Sequence, residues 1–88
     1  MHVTVISPAA ASFDGDAISV VAPAYDGQVG ILANHAPFMT LLGEGTLKIR
    51  TDSGERRYQV KGGFLQAVHN TVRVVAEQIA TEGTPDAR

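Results

Sequence analysis

The chain contains no cysteine and no tryptophan, and its aromatic complement is two tyrosines and three phenylalanines. Without thiols there are no disulfide staples, no thiolate metal ligands and no cysteine nucleophile, and a reducing compartment fits. So few aromatic rings leave little with which to stack on sugars. Charge is scarce too. Seven basic residues face nine acidic ones, for a net charge of −2. The one basic pair, Arg56-Arg57, is not the stripe or patch that nucleic acid requires. No apolar run approaches the roughly 20 residues that span a bilayer. The amino terminus, Met1-His2-Val3-Thr4, lacks the basic start and apolar stretch of a signal peptide. These absences set aside nucleic-acid binding and direct membrane insertion, so that any membrane connection would run through a partner.

What is present is a small globular domain. Its 88 residues are 44% hydrophobic and 18% charged, enough for one core and not for two. The hydrophobic period is two along most of the length. Val3 and Val5 alternate with His2 and Thr4, and Ile18, Val20 and Ala22 share one face. Leu47 and Ile49 alternate with Thr46, Lys48 and Arg50; Tyr58 and Val60 point inward from Arg57–Lys61; Val72, Val74 and Ala76 line one face of Thr71–Glu77. Turn chemistry separates these runs at Asp14-Gly15-Asp16, Asp26-Gly27, Gly43-Glu44-Gly45, Asp52–Glu55, Gly62-Gly63 and His69-Asn70. Asp52–Glu55 predicts an antiparallel hairpin, and Gly62-Gly63 predicts a sharp bend between Tyr58–Lys61 and Phe64–Val68. Many short strands with frequent turns predict an all-β fold, a sandwich in preference to a barrel. The sandwich is expected over residues 1–80, followed by a frayed polar tail over 81–88 that carries Gly83 and Pro85.

No arrangement for catalysis emerges. His2, His35 and His69 lack the short spacing of metal-ligand pairs, and no serine sits in a Gly-x-Ser-x-Gly elbow. Gly27-x-x-Gly30 and Gly43-x-Gly45 lack the Gly-Lys-Ser/Thr of a phosphate loop and read as turn glycines. Asp14 and Asp16, two apart in a turn-like context, read as satisfying local amides. Catalytic, cofactor-binding and metal-ligating residues are therefore expected to be absent.

Asp26–Pro37 is the stretch most like a shaped contact loop, rich in turn-formers and closing on His35-Ala36-Pro37. Pro37 holds Ala36 extended and can open a strand. The residues that follow, Phe38-Met39-Thr40-Leu41-Leu42, are almost wholly apolar. Such a strand is either buried on both faces or buried on one and held against a partner.

Taken together, these segments resemble the epsilon subunit of bacterial F-type ATP synthases. The likeness is carried by Ile6-Ser7-Pro8, Phe13-Asp14-Gly15, Gly27-x-x-Gly30-Ile31-Leu32-x-x-His35-Ala36-Pro37-x-x-Thr40, Gly45–Ile49, Gly62-Gly63-Phe64-Leu65 and Asn70–Ala76. It covers roughly residues 3–80. The resemblance implies a flattened β-sandwich of about ten short, mostly antiparallel strands. It implies a non-catalytic subunit that joins the gamma subunit to the polar loops of the c-ring at the cytoplasmic face of the bacterial inner membrane. Asp26, Gly27, Gln28, Val29 and Gly30 are the residues it would set against the c-ring. The family often has an acid where Gln28 stands, which leaves Asp26 as the nearby carboxylate. His35, Ala36, Pro37, Phe38, Met39 and Thr40 are the segment expected nearer gamma, on the strength of apolar exposure. The carboxy-terminal helix pair of most family members has no counterpart in Pro85-Asp86-Ala87-Arg88, so its inhibitory and nucleotide-binding roles are not carried over and no cofactor is expected. The rival reading is a small β-sandwich module that binds a carbohydrate or a peptide.

Overall fold

The computed structural model describes residues 1–8, 11–33 and 36–81. These residues form eight strands: β1 (His2–Ile6), β2 (Ala11–Asp16), β3 (Ser19–Ala24), β4 (Gly27–Leu32), β5 (Phe38–Leu41), β6 (Glu44–Thr51), β7 (Gly54–Val68) and β8 (Thr71–Thr81). No helix in the described residues is long and apolar enough to cross a membrane. Alternation decides which side chains turn inward. Val3, Val5, Val20, Leu47, Ile49, Leu65 and Val74 are completely buried, while the residues between them face outward or sit half-covered. Burying each such side chain contributes about 1.5–3 kcal/mol, and together they supply the main driving force for closing the sandwich.

All strands belong to one hydrogen-bonded sheet in the order β2-β1-β8-β7-β6-β3-β4, with β5 joined to β7. Neighbours are antiparallel except β1 and β8, which run parallel. β7 is the spine. Its first half pairs with β6, from Thr51 opposite Gly54 to Glu44 opposite Lys61. Its second half pairs with β5, from Leu41 opposite Phe64 to Phe38 opposite Ala67. β5 and β6 thus follow one another along β7, parted at Leu42-Gly43, where the chain reaches across to β3. There the Gly43 amide donates to the Pro23 carbonyl at 2.8 Å and the Tyr25 amide to the Leu41 carbonyl at 3.0 Å. The sheet folds over at this crossing. One layer holds β4, β3, β6, the first half of β7 and the end of β8 paired with it; the other holds β5, the second half of β7, the start of β8, β1 and β2. Tyr58 ties the layers together by donating its hydroxyl to the Ser12 carbonyl at 3.2 Å.

Among the described residues the strands number eight, not about ten. Part of the difference lies at Gly62-Gly63, where the sequence predicts a bend between two strands and β7 runs through as one. The pairing of β7 with β8 keeps its register straight through, with Lys61 opposite Gln78 and Gly63 opposite Ala76. The glycines still redirect the chain, with φ of +73° and +105°, and the ladder skips Gly62 and Glu77 without a change of register. Only glycine suits position 63, because a Cβ there would drive into the Val75 carbonyl oxygen.

A second correction concerns Asp14-Gly15-Asp16, which form strand and not turn. They pair with Thr4, Val3 and His2. The β1 ladder and the inward side chains beside it override the local turn preference, as tertiary context does in sheets. The two carboxylates meet an imidazole, with His2 Nε2 at 2.6 Å from Asp14 and Nδ1 at 3.7 Å from Asp16. The hairpin at Asp52–Glu55 forms as the alternation predicts, with Asp52-Ser53 between β6 and β7. His69 and Asn70 connect β7 to β8 with φ of +51° and +61°, the left-handed pair of a type I′ turn. β8 continues beyond Glu77 to Thr81, while the rest of the expected tail, residues 82–88, lies outside the described residues.

Candidate functional site

The site is built from two local structures. The first is the β3–β4 hairpin, closed by Ala24 opposite Gly27 with Tyr25-Asp26 between them. Gly27 has φ +133°, a conformation open to glycine and strained for other residues. That conformation allows Tyr25-Asp26 to turn tightly and to project from the end of the hairpin. The second is β5, where alternation sends Phe38 and Thr40 toward the interior and Met39 and Leu41 outward. Of the two fates expected for this apolar strand, burial on both faces is the one that does not occur: Met39 and Leu41 are each 62% exposed.

The Tyr25–Leu41 backbone bond holds the hairpin beside β5, and the two enclose a surface groove of about 560 Å³. Asp26, Gln28 and Val29 form one lip with Tyr25; Phe38, Met39 and Thr40 form the other with Leu41. The two segments singled out in the sequence therefore share one cleft. Gly27 lies in the hairpin, and Gly30 farther along β4 has open space where a side chain would stand. Ala36 and Pro37 are exposed and lead into β5. His35 lies outside the described residues.

One contributor escaped the sequence reading. Tyr25 is 68% exposed, the most of any large apolar residue described. An aromatic residue immediately before Asp-Gly in a hairpin loop was the available signal for it. Leu41, part of the apolar strand already singled out, completes the exposed row begun by Met39.

Asp26 is the one charged group on the groove among the described residues. The Thr40 hydroxyl is turned to the Leu41 carbonyl at 3.4 Å. No group of three or more His, Asp or Glu side chains among the described residues is placed to hold a metal ion. Beyond the groove, the outer face of the β3–β6–β7 layer is basic. Lys48 stands opposite Arg57 and Arg50 opposite Glu55. Arg57 Nε donates to Glu55 at 2.6 Å. That hydrogen bond, helped by the charges of Arg57, Lys48 and Arg50, outweighs partial desolvation and holds the Glu55 carboxyl below its ordinary range. Chemically, the groove offers apolar side chains, one carboxylate and exposed backbone.

Comparison with known proteins agrees with this description. Residues 1–82 match the family described as the ATP synthase delta/epsilon chain, β-sandwich domain. An ATP synthase epsilon chain of an Exiguobacterium species is 40% identical over 78 residues, covering 88% of this chain and 57% of that protein. The epsilon chain of Hyphomonas neptunium is 37% identical, with 89% and 58% covered. The chain thus spans somewhat over half the length of these relatives. It spans 90% of the Caulobacter vibrioides epsilon chain, at 34% identity. In fold it is similar to a chain of the Euglena gracilis mitochondrial ATP synthase, with a TM-score of 0.85 at 18% identity over 97% of this chain and 55% of that one. A chain from the Tetrahymena thermophila central stalk and c-ring gives 0.77 at 22% identity, with 98% and 71% covered. A single sheet folded over an alternating core, matched along nearly its whole length, identifies the chain as a member of the ATP synthase delta/epsilon chain family through that family's β-sandwich domain.

Proposed function

We propose that this chain is a non-catalytic central-stalk subunit of a proton-translocating F-type ATP synthase, coupling rotation of the c-ring to the gamma shaft. It works peripherally, at the cytoplasmic face of the bacterial inner membrane, and needs no nucleotide or metal of its own. Asp26–Gly30 meets the polar loops of the c-ring, and the segment from His35 to Thr40 meets gamma.

The groove is the observation that carries this reading. Its lips take Asp26, Gln28 and Val29 from the first segment and Phe38, Met39 and Thr40 from the second, and Tyr25, Met39 and Leu41 leave apolar area on a surface that a monomer would otherwise cover. A coupling element must pass torque without deforming. A continuous ladder through β7 and a core of fully buried side chains suit that role, because close-packed interiors transmit strain.

Disulfide trapping in the assembled complex tests the proposal. Gln28→Cys is expected to cross-link to a cysteine in a c-ring loop, and Met39→Cys to one on gamma. Failure at Gln28 and at every neighbour from 26 to 30 would remove the ring assignment. Failure at 38–41 would remove the assignment to gamma.

A further inference from the structure

β4 is the last strand of its layer, and its far side has no strand partner among the described residues. Pro23 decides which of its backbone groups are left over. In an antiparallel pair, alternate residues aim both N–H and C=O at the same neighbour. The Pro23 carbonyl accepts from Gly43, so the backbone of Pro23 faces away from β4. Gln28 stands opposite Pro23, and that pair is therefore not hydrogen-bonded. By alternation Gly27, Val29 and Ile31 bond to β3, while Gln28, Gly30 and Leu32 present their N–H and C=O groups to the open edge. Proline enforces this phase, since it has no N–H to offer β4 in the other one.

The edge is unguarded. Gly27–Leu32 carries no charge and no proline, and its register against β3 is unbroken. Charge, proline and bulges are the usual means of closing an exposed strand. β2, at the other end of the sheet, is guarded by Asp14 and Asp16 and by a register shift at Val5/Ile6. The open edge also adjoins the groove. Val29 packs its side chain against the core from β4, and Phe38 does so from β5. A strand added outside β4 would hang every second side chain over the space between them.

The geometry points to strand addition: an extended segment of a partner polypeptide pairs with the free edge of β4 and turns uncharged, apolar side chains into the groove. This rests on the reading of the groove side as an interface, and it adds how the contact is made. Main-chain hydrogen bonds carry it, so no carboxylate is needed at position 28. A second copy of the chain fits less well. Two-fold pairing about Gly30 would offer the groove Val29 and Ile31, and Ile31 is already buried in its own core.

Amide hydrogen exchange, compared between the isolated chain and the assembled synthase, tests this. In the isolated chain the amides of Gln28, Gly30 and Leu32 exchange fast while those of Val29 and Ile31 exchange slowly. On assembly the fast amides slow to the rates of their neighbours. Unchanged fast exchange in the complex overturns strand addition, and so does slowing in the isolated chain as its concentration rises. Gly30→Pro deletes the central edge donor, whereas Gly30→Ala keeps it and adds a Cβ that meets nothing within 4 Å. The proline variant is retained less than the alanine variant, which carries a Cβ with the donor intact; equal retention of the two overturns the idea. Cross-linking from Gln28→Cys in the same preparation separates the two levels. Cross-links with unprotected edge amides remove strand addition and leave the interface standing, whereas absence of both removes both.

Discussion

Leu42 donates its backbone amide to the Gly63 carbonyl at 2.9 Å, and the Gly62 amide returns to the Gly43 carbonyl at 3.3 Å. This pair of bonds spans the break between β5 and β6 at the point where β7 is redirected. The fold-over of the sheet and the position of β5 beside the hairpin both depend on it. The backbone geometry behind the groove thus begins at Leu42, the residue next to its lining residue Leu41.

Gly63→Ala should be among the most damaging single substitutions. The new Cβ meets the Val75 carbonyl, at a φ of +105°. A loss of about 2 kcal/mol or more is expected, seen as a fall of about 8–16 °C in Tm for a domain of this size. Gly30→Ala, with open space and no positive φ, should stay within about 0.5 kcal/mol. Equal Tm values for the two variants would contradict the assigned role of the glycine pair.

Leu65→Ala and Leu41→Ser should separate folding from contact. Leu65 is completely buried between the layers, and its truncation should cost about 2–5 kcal/mol in denaturant unfolding. Leu41, exposed at the groove, should change stability by no more than about 0.5 kcal/mol while weakening retention in the assembled complex. A stable Leu41→Ser chain that is retained like the parent would remove Leu41 from the interface.

Tyr58→Phe deletes the hydroxyl that reaches Ser12 across the sandwich and leaves the ring in place. The Ser12 carbonyl loses that partner, and the expected cost is about 1 kcal/mol. Chemical denaturation with an unchanged m-value should report it, and exchange of the β2 amides should rise with it.

Glu55 provides a test by pH. Its folded pKa lies below the ordinary value because of Arg57 first and the charges of Lys48 and Arg50 after it. A depressed carboxylate adds stability that is complete above the unfolded pKa and is lost as pH falls through the folded one. Arg57→Gln should therefore raise the Glu55 midpoint in an NMR titration toward the ordinary value. Tm at neutral pH should barely move, since the pair is exposed to solvent. A midpoint that stays put would mean that Arg57 is not the cause.

Alternation alone was enough to assign the fold class. Val3 and Val5, Leu47 and Ile49, and Val72, Val74 and Ala76 announce their strands and are buried as that pattern requires. A period of two is a local property, and each strand carries it without reference to any other. Turn chemistry likewise placed the Asp52-Ser53 and His69-Asn70 connections, because the backbone of a tight turn is chosen by its own residues. The same reasoning failed at Asp14-Gly15-Asp16, where a neighbouring strand supplies hydrogen bonds that outweigh the local preference. At Gly62-Gly63 it gave the change of direction and not the single strand that runs through it, because the pairing with β8 on both sides is a term that no reading of neighbours in sequence contains. The groove belongs to the same class. Asp26–Gly30 and Ala36–Thr40 could be picked out one by one as unusual segments. That they face each other, that Tyr25 and Leu41 join them, and that the backbone of Gln28, Gly30 and Leu32 has no strand partner among the described residues follow from the pairing of β3 with β4 and from the Pro23–Gly43 bond. Those are relations between residues distant in the chain, and only closing the sheet brings them into being.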